Sequence, residues 1–160
     1  MTAPKVAILM GSKSDWPVVK LASDQLNTYG VPHESRVLSA HRTPDEVVAY
    51  VRDAEARGVK VFIGAAGGAA HLAGVIAAHT TMPVLAIPIT SKLDGLDSLL
   101  SMVQMPKGVP VGCLAIGEAG ATNAGILAVQ ILSTSDPALA QKLKDARRAE
   151  ADRILKDTLS

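Results

Sequence analysis

A histidine and an arginine, His41 and Arg42, stand side by side where a strand is expected to give way to a helix. Thr43 is predicted to be the N-cap of that helix and Pro44 its first residue, with Glu46 completing a capping box. The free N–H groups and the positive dipole end of such a helix favour an anion. An imidazole beside an anion site indicates acid–base chemistry on a phosphorylated or carboxylated small molecule. The alternative is an ordinary solvated turn.

The elements that position these residues alternate between apolar strands and helices, which predicts a parallel sheet with helices on both faces. The predicted strands cover 6–10, 33–38, 61–66, 84–89 and 111–116, and the predicted helices cover 16–29, 44–57, 69–79, 96–103, 121–133 and 137–159. The fold class is therefore α/β, a three-layer sandwich with the flavodoxin-like strand order 2-1-3-4-5 and a C-terminal helix. A single domain is expected over residues 1–160.

Three loops follow the first three strands, and the predicted strand order brings them together at the switch point where such sheets bind ligands. They cover 11–15 (Gly-Ser-Lys-Ser-Asp), 39–44 (Ser-Ala-His-Arg-Thr-Pro) and 66–71 (Ala-Gly-Gly-Ala-Ala-His). Their convergence favours a binding site over a solvated turn.

The loop at 11–15 has the composition of a phosphate-binding turn. Gly11 allows a tight turn, Ser12 and Ser14 offer hydroxyl donors, and Ser14 or Asp15 can cap the following helix. Asp15 can instead accept hydrogen bonds from a ribose diol. The loop lacks the length and the lysine of a Walker motif, and a simple capped turn is the alternative.

The loop at 66–71 is suited to close contact with a small ligand. Gly67 and Gly68 let the backbone approach closely, and Ala69 and Ala70 form a small apolar floor at a helix N-terminus. His71 is expected in the first turn of that helix, where the dipole disfavours protonation. A neutral, substrate-contacting or structural role for His71 is therefore favoured over that of a general acid.

Charge and histidine spacing exclude several functions. The formal net charge is +1, so the chain carries no electrostatic signature of a nucleic-acid-binding protein. Its four histidines show no metal-ligand spacing, which predicts no metal site; His33 and His79 are interpreted as structural.

Hydropathy and cysteine content predict a cytoplasmic protein that does not span a membrane and that forms oligomers. No apolar run reaches the roughly 18–20 residues of a membrane span, and no signal-peptide pattern is present. The lone cysteine, Cys113, is expected to be a buried, inert thiol of a cytoplasmic protein. Hydrophobic residues make up 48% of the chain, more than one small domain needs to bury, so a homo-oligomer is expected.

Taken together, the loops resemble those of the class I N5-carboxyaminoimidazole ribonucleotide mutase family. The matching segments are GSKSD at 11–15, SAHRTP at 39–44, AGGAAHL at 66–72, GLDSL at 95–99, QMPKGVPVG at 104–112 and AIGEAGATNA at 115–124. The resemblance spans nearly the whole chain. One departure is Ala73, where the family usually has proline, so the bend of this helix and the adjoining pocket wall are expected to differ.

The resemblance implies transfer of a carboxylate from the exocyclic nitrogen to ring carbon C4 of a phosphorylated aminoimidazole ribonucleotide, with no cofactor. It implies that His41 is the catalytic proton shuttle, that Arg42 with Ser12 and Ser14 binds phosphate, and that Asp15 binds ribose. It also implies an octamer. The full set of expected substrate-binding residues is Ser12, Ser14, Asp15, Ser39, Ala40, Arg42, Gly67, Gly68, Ala69, Ala70, His71 and Leu72.

Two other functions remain open from the sequence. One is a direct carboxylase that uses free carbon dioxide on the same substrate skeleton. The other is a flavodoxin-like module that binds a nucleotide or FMN, although the three loops contain no aromatic side chain to stack on a flavin.

Overall fold

The computed structural model describes residues 3–158 and is built around a five-stranded parallel sheet in the order β2-β1-β3-β4-β5. The strands are β1 (Val6–Met10), β2 (His33–Val37), β3 (Val61–Gly67), β4 (Val84–Ile89) and β5 (Gly112–Cys113). The helices are α1 (Trp16–Tyr29), α2 (Pro44–Ala56), α3 (Leu72–Ala78), α4 (Leu96–Val103), α5 (Glu118–Ser133) and α6 (Pro137–Ile154). The predicted α/β class and strand order are confirmed.

The sheet is buried on both faces, which explains why its inner strands have continuous apolar sequences. Every residue of β1 is buried. Because successive side chains alternate between faces, Ile8 packs in the cluster with α1 and α5, whereas Leu9 packs in the cluster with α2 and α3. The sheet thus forms the middle of three layers.

The fifth strand is shorter than predicted. It pairs with β4 only at Gly112 and Cys113, and Leu114 N–H and Gly117 N–H then donate singly to the carbonyls of Ala86 and Pro88. Pro88 has no N–H with which to continue the ladder on this side. Cys113 is half-buried rather than buried, and this burial raises the pKa of its thiol.

The last two helices also differ from their predicted bounds. Helix α5 begins at Glu118, three residues before the predicted start, and α6 ends at Ile154. The predicted end of α6 at Leu159 lies outside the described residues. Among the helices of residues 3–158, none has the length and apolar character needed to cross a bilayer.

Helices α1 and α5 pack against each other at Gly125. A Cβ atom at this position would lie 2.7 Å from the carbonyl oxygen of Ala22 and 2.8 Å from Cβ of Gln25. The absence of a side chain therefore sets the distance between the two helices, and α1 carries the loop at 11–15 at its N-terminus.

We expect Gly125→Ala to lower the free energy of unfolding by about 1–3 kcal/mol, because the added methyl group forces α1 and α5 apart. Gly74→Ala is the matched control. A Cβ at Gly74 would meet Sδ of Met105 at 3.4 Å, an ordinary contact, and alanine in a helix gains roughly 0.5–1 kcal/mol over glycine. Urea denaturation measures both, and equal stability of Gly125→Ala and the parent chain would contradict this packing.

Candidate active site

The turn between β2 and α2 carries His41 and Arg42, and Thr43 closes it. Thr43 N–H donates to the carbonyl of Ser39 at 2.9 Å, while its hydroxyl donates to the same carbonyl and accepts from Ser39 N–H. Thr43 is the N-cap residue of α2, as predicted, but the predicted capping box is wrong because the Thr43 hydroxyl bonds back into the turn and makes no capping bond to the helix. Pro44 does begin the helix, as predicted.

Arg42 joins this turn to the loop that follows β1. Its Nη2 donates to the carbonyl of Gly11 at 2.6 Å, and its Nε donates to the hydroxyl of Ser39 at 3.3 Å. A guanidinium has five N–H donors, so others stay available for an anion. Arg42 thus both connects two loops and offers positive charge at their junction.

The loop after β1 forms a short 3₁₀ turn over Lys13–Asp15 before α1 begins. Ser12 caps this turn: its hydroxyl accepts from Ser14 N–H at 3.3 Å and from the Ser14 hydroxyl at 2.8 Å. Asp15 is the N-cap residue of α1, one of the two residues predicted to cap it, but its side chain makes no capping bond to the helix.

Asp15 is half-buried at the base of this loop, and burial raises the pKa of its carboxyl group. Hydrogen bonds from Ser14 and from the backbone of Ser12 act in the opposite direction, as does the charge of Arg42. Burial is the largest of these effects, so the ionised carboxylate is less stable here than in water.

The loop after β3 makes two tight turns before α3 begins. Gly68 has a φ of +69°, Ala70 N–H donates to the carbonyl of Gly68 at 2.8 Å, and His71 N–H donates to that of Ala69 at 2.9 Å. These turns delay the helix, which starts at Leu72 instead of the predicted 69. His71 therefore precedes the helix. The prediction that it lies in the first helical turn is wrong.

His41 and His71 are in direct contact across the site. Nε2 of His41 lies 2.8 Å from Nδ1 of His71, and the rings meet edge to face with centroids 4.9 Å apart. One nitrogen donates and the other accepts, so the rings share one N–H, and both side chains are exposed. Nothing in the sequence indicates this pair.

The three loops enclose a cleft of about 410 Å³ at the carboxyl edge of the sheet. Its lining is Gly11, Ser12, Asp15, Ser39, Ala40, His41, Arg42, Ala66, Gly67, Ala69, His71, Leu72, Ile89, Thr90 and Ser91. Most of the expected site residues thus lie together. Three others lie outside the lining: Ser14 is exposed beside Ser12, Gly68 is half-buried against α4, and Ala70 is buried in the core.

Sequence reasoning missed the wall formed by Ile89, Thr90 and Ser91. These residues follow β4, which is next to β3 in the predicted strand order. Their position at the carboxyl end of β4 could therefore have indicated that they line the cleft.

The structure also shows how Ala73 packs. Its Cα would lie 3.0 Å from a Cβ placed on Gly64, so α3 packs tightly on β3.

A larger cleft of about 700 Å³ lies away from these loops, between the start of the sheet and α6. Lys5, Lys60 and Lys142 are among its lining residues, and Nζ of Lys142 donates to the carbonyl of Tyr29 at the end of α1. This cleft contains none of the expected site residues. We therefore assign the candidate site by its chemistry and not by its size.

The remaining histidines lie elsewhere. Both ring nitrogens of His33 are occupied, one by the hydroxyl of Ser23 at 2.7 Å and one by the carbonyl of Val31 at 2.9 Å. His79 is exposed at the end of α3. Within residues 3–158, no three His, Cys, Asp or Glu side chains lie together as a metal site would require.

Comparison with known proteins defines the class to which this fold and cleft belong. The family model described as AIR carboxylase matches residues 5–153, and the chain belongs to this family. It is 57% identical to the N5-carboxyaminoimidazole ribonucleotide mutase of Vibrio parahaemolyticus, over 94% of each chain. It is 53% identical to the mutase of the same name from Escherichia coli K12, over 96% of this chain and 91% of that one.

A solved structure supports the same relationship. The crystal structure of Treponema denticola PurE superposes with a TM-score of 0.88 at 30% identity, over 96% of each chain. The resemblance to the N5-carboxyaminoimidazole ribonucleotide mutase family is therefore confirmed.

We expect Asp15→Asn to raise the melting temperature at pH 7, because the neutral amide avoids the cost of burying a charge. A raised pKa in the folded state means that stability is lost as pH rises through that pKa. The gain should therefore disappear below pH 3.8, the ordinary pKa of the group. Asp152→Asn, an exposed carboxylate on α6, is the control and should change little. A lower melting temperature for Asp15→Asn at pH 7 would contradict the conclusion that burial is the dominant effect on the Asp15 carboxyl group.

Proposed function

We propose that this protein is a mutase of purine biosynthesis that converts N5-carboxyaminoimidazole ribonucleotide to 4-carboxy-5-aminoimidazole ribonucleotide. The observation that carries the proposal is the meeting of His41, Arg42 and the Gly67–Ala70 loop in one cleft, in a chain more than half identical to curated mutases. The cleft thus combines a proton-transfer group, a cation and exposed backbone.

The ribonucleotide phosphate binds at Arg42 and Ser12. The guanidinium of Arg42 lies against the 11–15 loop and retains free donors, and the hydroxyl of Ser12 lines the same cleft. Ser14 supports Ser12 through their 2.8 Å hydrogen bond. Asp15 accepts hydrogen bonds from the ribose hydroxyls, and Ser39 with Ala40 forms the adjoining wall.

His41 moves the proton in both halves of the reaction. As the bond between the exocyclic nitrogen and the carboxylate carbon breaks, its electrons pass to nitrogen, which takes a proton from His41, and carbon dioxide forms. Ring carbon C4 then attacks carbon dioxide, and the C4 proton returns to His41. One imidazole serves both steps because its ordinary pKa lies near neutrality.

The loop that carries Gly67 and Ala69 holds the carboxylate and the carbon dioxide formed from it. Both residues line the cleft, and among the described residues Ala69 N–H has no hydrogen-bond partner. A free backbone donor suits a carboxylate oxygen. Leu72 adds an apolar surface nearby, and exclusion of water keeps carbon dioxide in place between the two steps.

A direct carboxylase is the second candidate, favoured by the description of the matching family model as AIR carboxylase. The two functions differ in substrate. A mutase forms product from N5-carboxyaminoimidazole ribonucleotide alone, whereas a carboxylase forms it from aminoimidazole ribonucleotide and carbon dioxide. Assays with each substrate separately distinguish them, and product only from the second pair would refute the proposal.

His41→Asn is expected to lower turnover by ~10²–10⁴-fold, because asparagine keeps a polar tip but cannot exchange a proton near pH 7. Binding of the ribonucleotide should persist in calorimetry. His79→Asn, at an exposed histidine near the end of α3, is the matched control and should retain the parent rate. Near-parental turnover of His41→Asn would remove His41 from the mechanism.

The same proposal includes assembly as a homo-oligomer in the cytoplasm, and the family resemblance suggests an octamer. It is supported by an apolar stripe on and before α4, formed by Leu93, Leu96, Leu100 and Val103, whose exposed fractions are 64%, 50%, 54% and 46%. The spacing places Leu96, Leu100 and Val103 on one face of α4, and Leu93 lies in the turn just before the helix. A second copy of the chain covers this stripe and removes its apolar surface from water.

Light scattering tests the assembly. The parent chain is expected to have a mass eight times that of the 16.6 kDa monomer. Leu100→Asp places a charge in the stripe and should shift the mass toward smaller species. Leu155→Asp, at a more exposed leucine after α6, should leave it unchanged. A fully active parent monomer would rule the assembly out.

A further inference from the structure

We propose that Ser98, on α4, is a positioning residue of this reaction: it sets the conformation of the Gly67–Ala70 loop so that carbon dioxide is retained between the two chemical steps. This inference rests on the proposed function. Ser98 does not line the cleft, so it acts through the loop and not on the substrate.

The hydroxyl of Ser98 joins the ends of β3 and β4. Its side chain is 0% exposed, and its oxygen accepts from Gly68 N–H at 2.9 Å and donates to the carbonyl of Ile89 at 2.6 Å. Gly67 and Ile89 are the last paired residues of the two strands. Ser98 therefore acts at the point where the ladder stops and the loop begins.

The register of the sheet explains why a hydroxyl is needed there. Phe62 N–H donates to the carbonyl of Pro83, and a parallel ladder repeats this pattern at every second residue. If the ladder continued one step beyond its last paired residues, Gly67 and Ile89, the same pattern would join Gly68 N–H directly to the carbonyl of Ile89. The Ser98 hydroxyl is inserted between these two groups and so holds the strand ends apart.

A second hydroxyl of α4 fixes the other side of the same residue. The hydroxyl of Ser101 lies 3.2 Å from the carbonyl of Gly68 and 2.8 Å from that of Asp97. The single proton of this hydroxyl is shared between the two carbonyls, and the Gly68 carbonyl also accepts from Ala70 N–H. Helix α4 thus contacts both backbone polar groups of Gly68, whose φ of +69° favours glycine. The loop conformation that leaves Ala69 N–H free depends on these contacts.

Removal of the Ser98 hydroxyl has a specific consequence. In Ser98→Ala, Gly68 N–H and the carbonyl of Ile89 lose their shared partner and are drawn toward each other, because buried polar groups need hydrogen bonds. The ladder would extend by one step, and Ala69 would move with it. The cleft should then hold the carboxylate less well, whereas the phosphate site at Arg42 is unaffected.

The experiment compares two readouts in Ser98→Ala and the parent enzyme. The first is the fraction of consumed N5-carboxyaminoimidazole ribonucleotide that appears as aminoimidazole ribonucleotide, after subtraction of spontaneous decay. It should rise roughly tenfold or more, since an ångström-scale displacement is costly in a positioned reaction. The second is affinity for the carboxylated product, which should fall while affinity for aminoimidazole ribonucleotide, which lacks the carboxylate, stays the same.

Two further variants keep the test decisive. Ser23→Ala removes another buried hydroxyl, bonded to His33 on the other side of the sheet, and should change neither readout. Ser101→Ala should change both in the same direction as Ser98→Ala but less, and it decides the matter if Ser98→Ala does not fold. Unchanged readouts in folded variants would overturn the role of Ser98 alone, whereas absence of carboxylate transfer by the parent enzyme would overturn the proposed function.

Discussion

Parallel pairing of β1 with both β2 and β3 is the constraint on which the site depends. Met10, the last residue of β1, is in register with Val37 on one side and Ala65 on the other. All three strands therefore end at the same edge of the sheet, and the loops that follow them must meet. No side chain in the cleft would have its neighbours without this register.

Irregular loops keep a defined shape here because polar groups bind them to one another and to the helices. Arg42 holds the carbonyl of Gly11, Thr43 closes its own turn, and Ser98 holds Gly68. Helix α4 is central to this arrangement, since its buried side supports the loop and its exposed side carries Leu100 in the apolar stripe. In the proposed enzyme, assembly and the shape of the carboxylate pocket thus involve the same short helix.

The sequence was sufficient for the strand order and for most of the cleft, because apolar strands and distinctive loops are local patterns. Prediction from the sequence failed where two local patterns compete, and where a contact joins residues that are far apart in the chain. Thr43 has the identity of a helix cap, yet its hydroxyl bonds to the preceding turn. The contact between His41 and His71 depends on how two loops meet in space. Ser98 stands in the GLDSL segment that matches the family, yet the sequence does not indicate that its hydroxyl binds Gly68 and Ile89.

The most direct test of this account is the fate of the migrating carboxylate. N5-carboxyaminoimidazole ribonucleotide labelled with ¹³C in its carboxylate is converted in excess unlabelled bicarbonate, with carbonic anhydrase present to equilibrate the free pool. If the cleft retains carbon dioxide between the steps, the product keeps the label. Product whose label matches the free pool would show that carbon dioxide leaves the site, and would contradict the account.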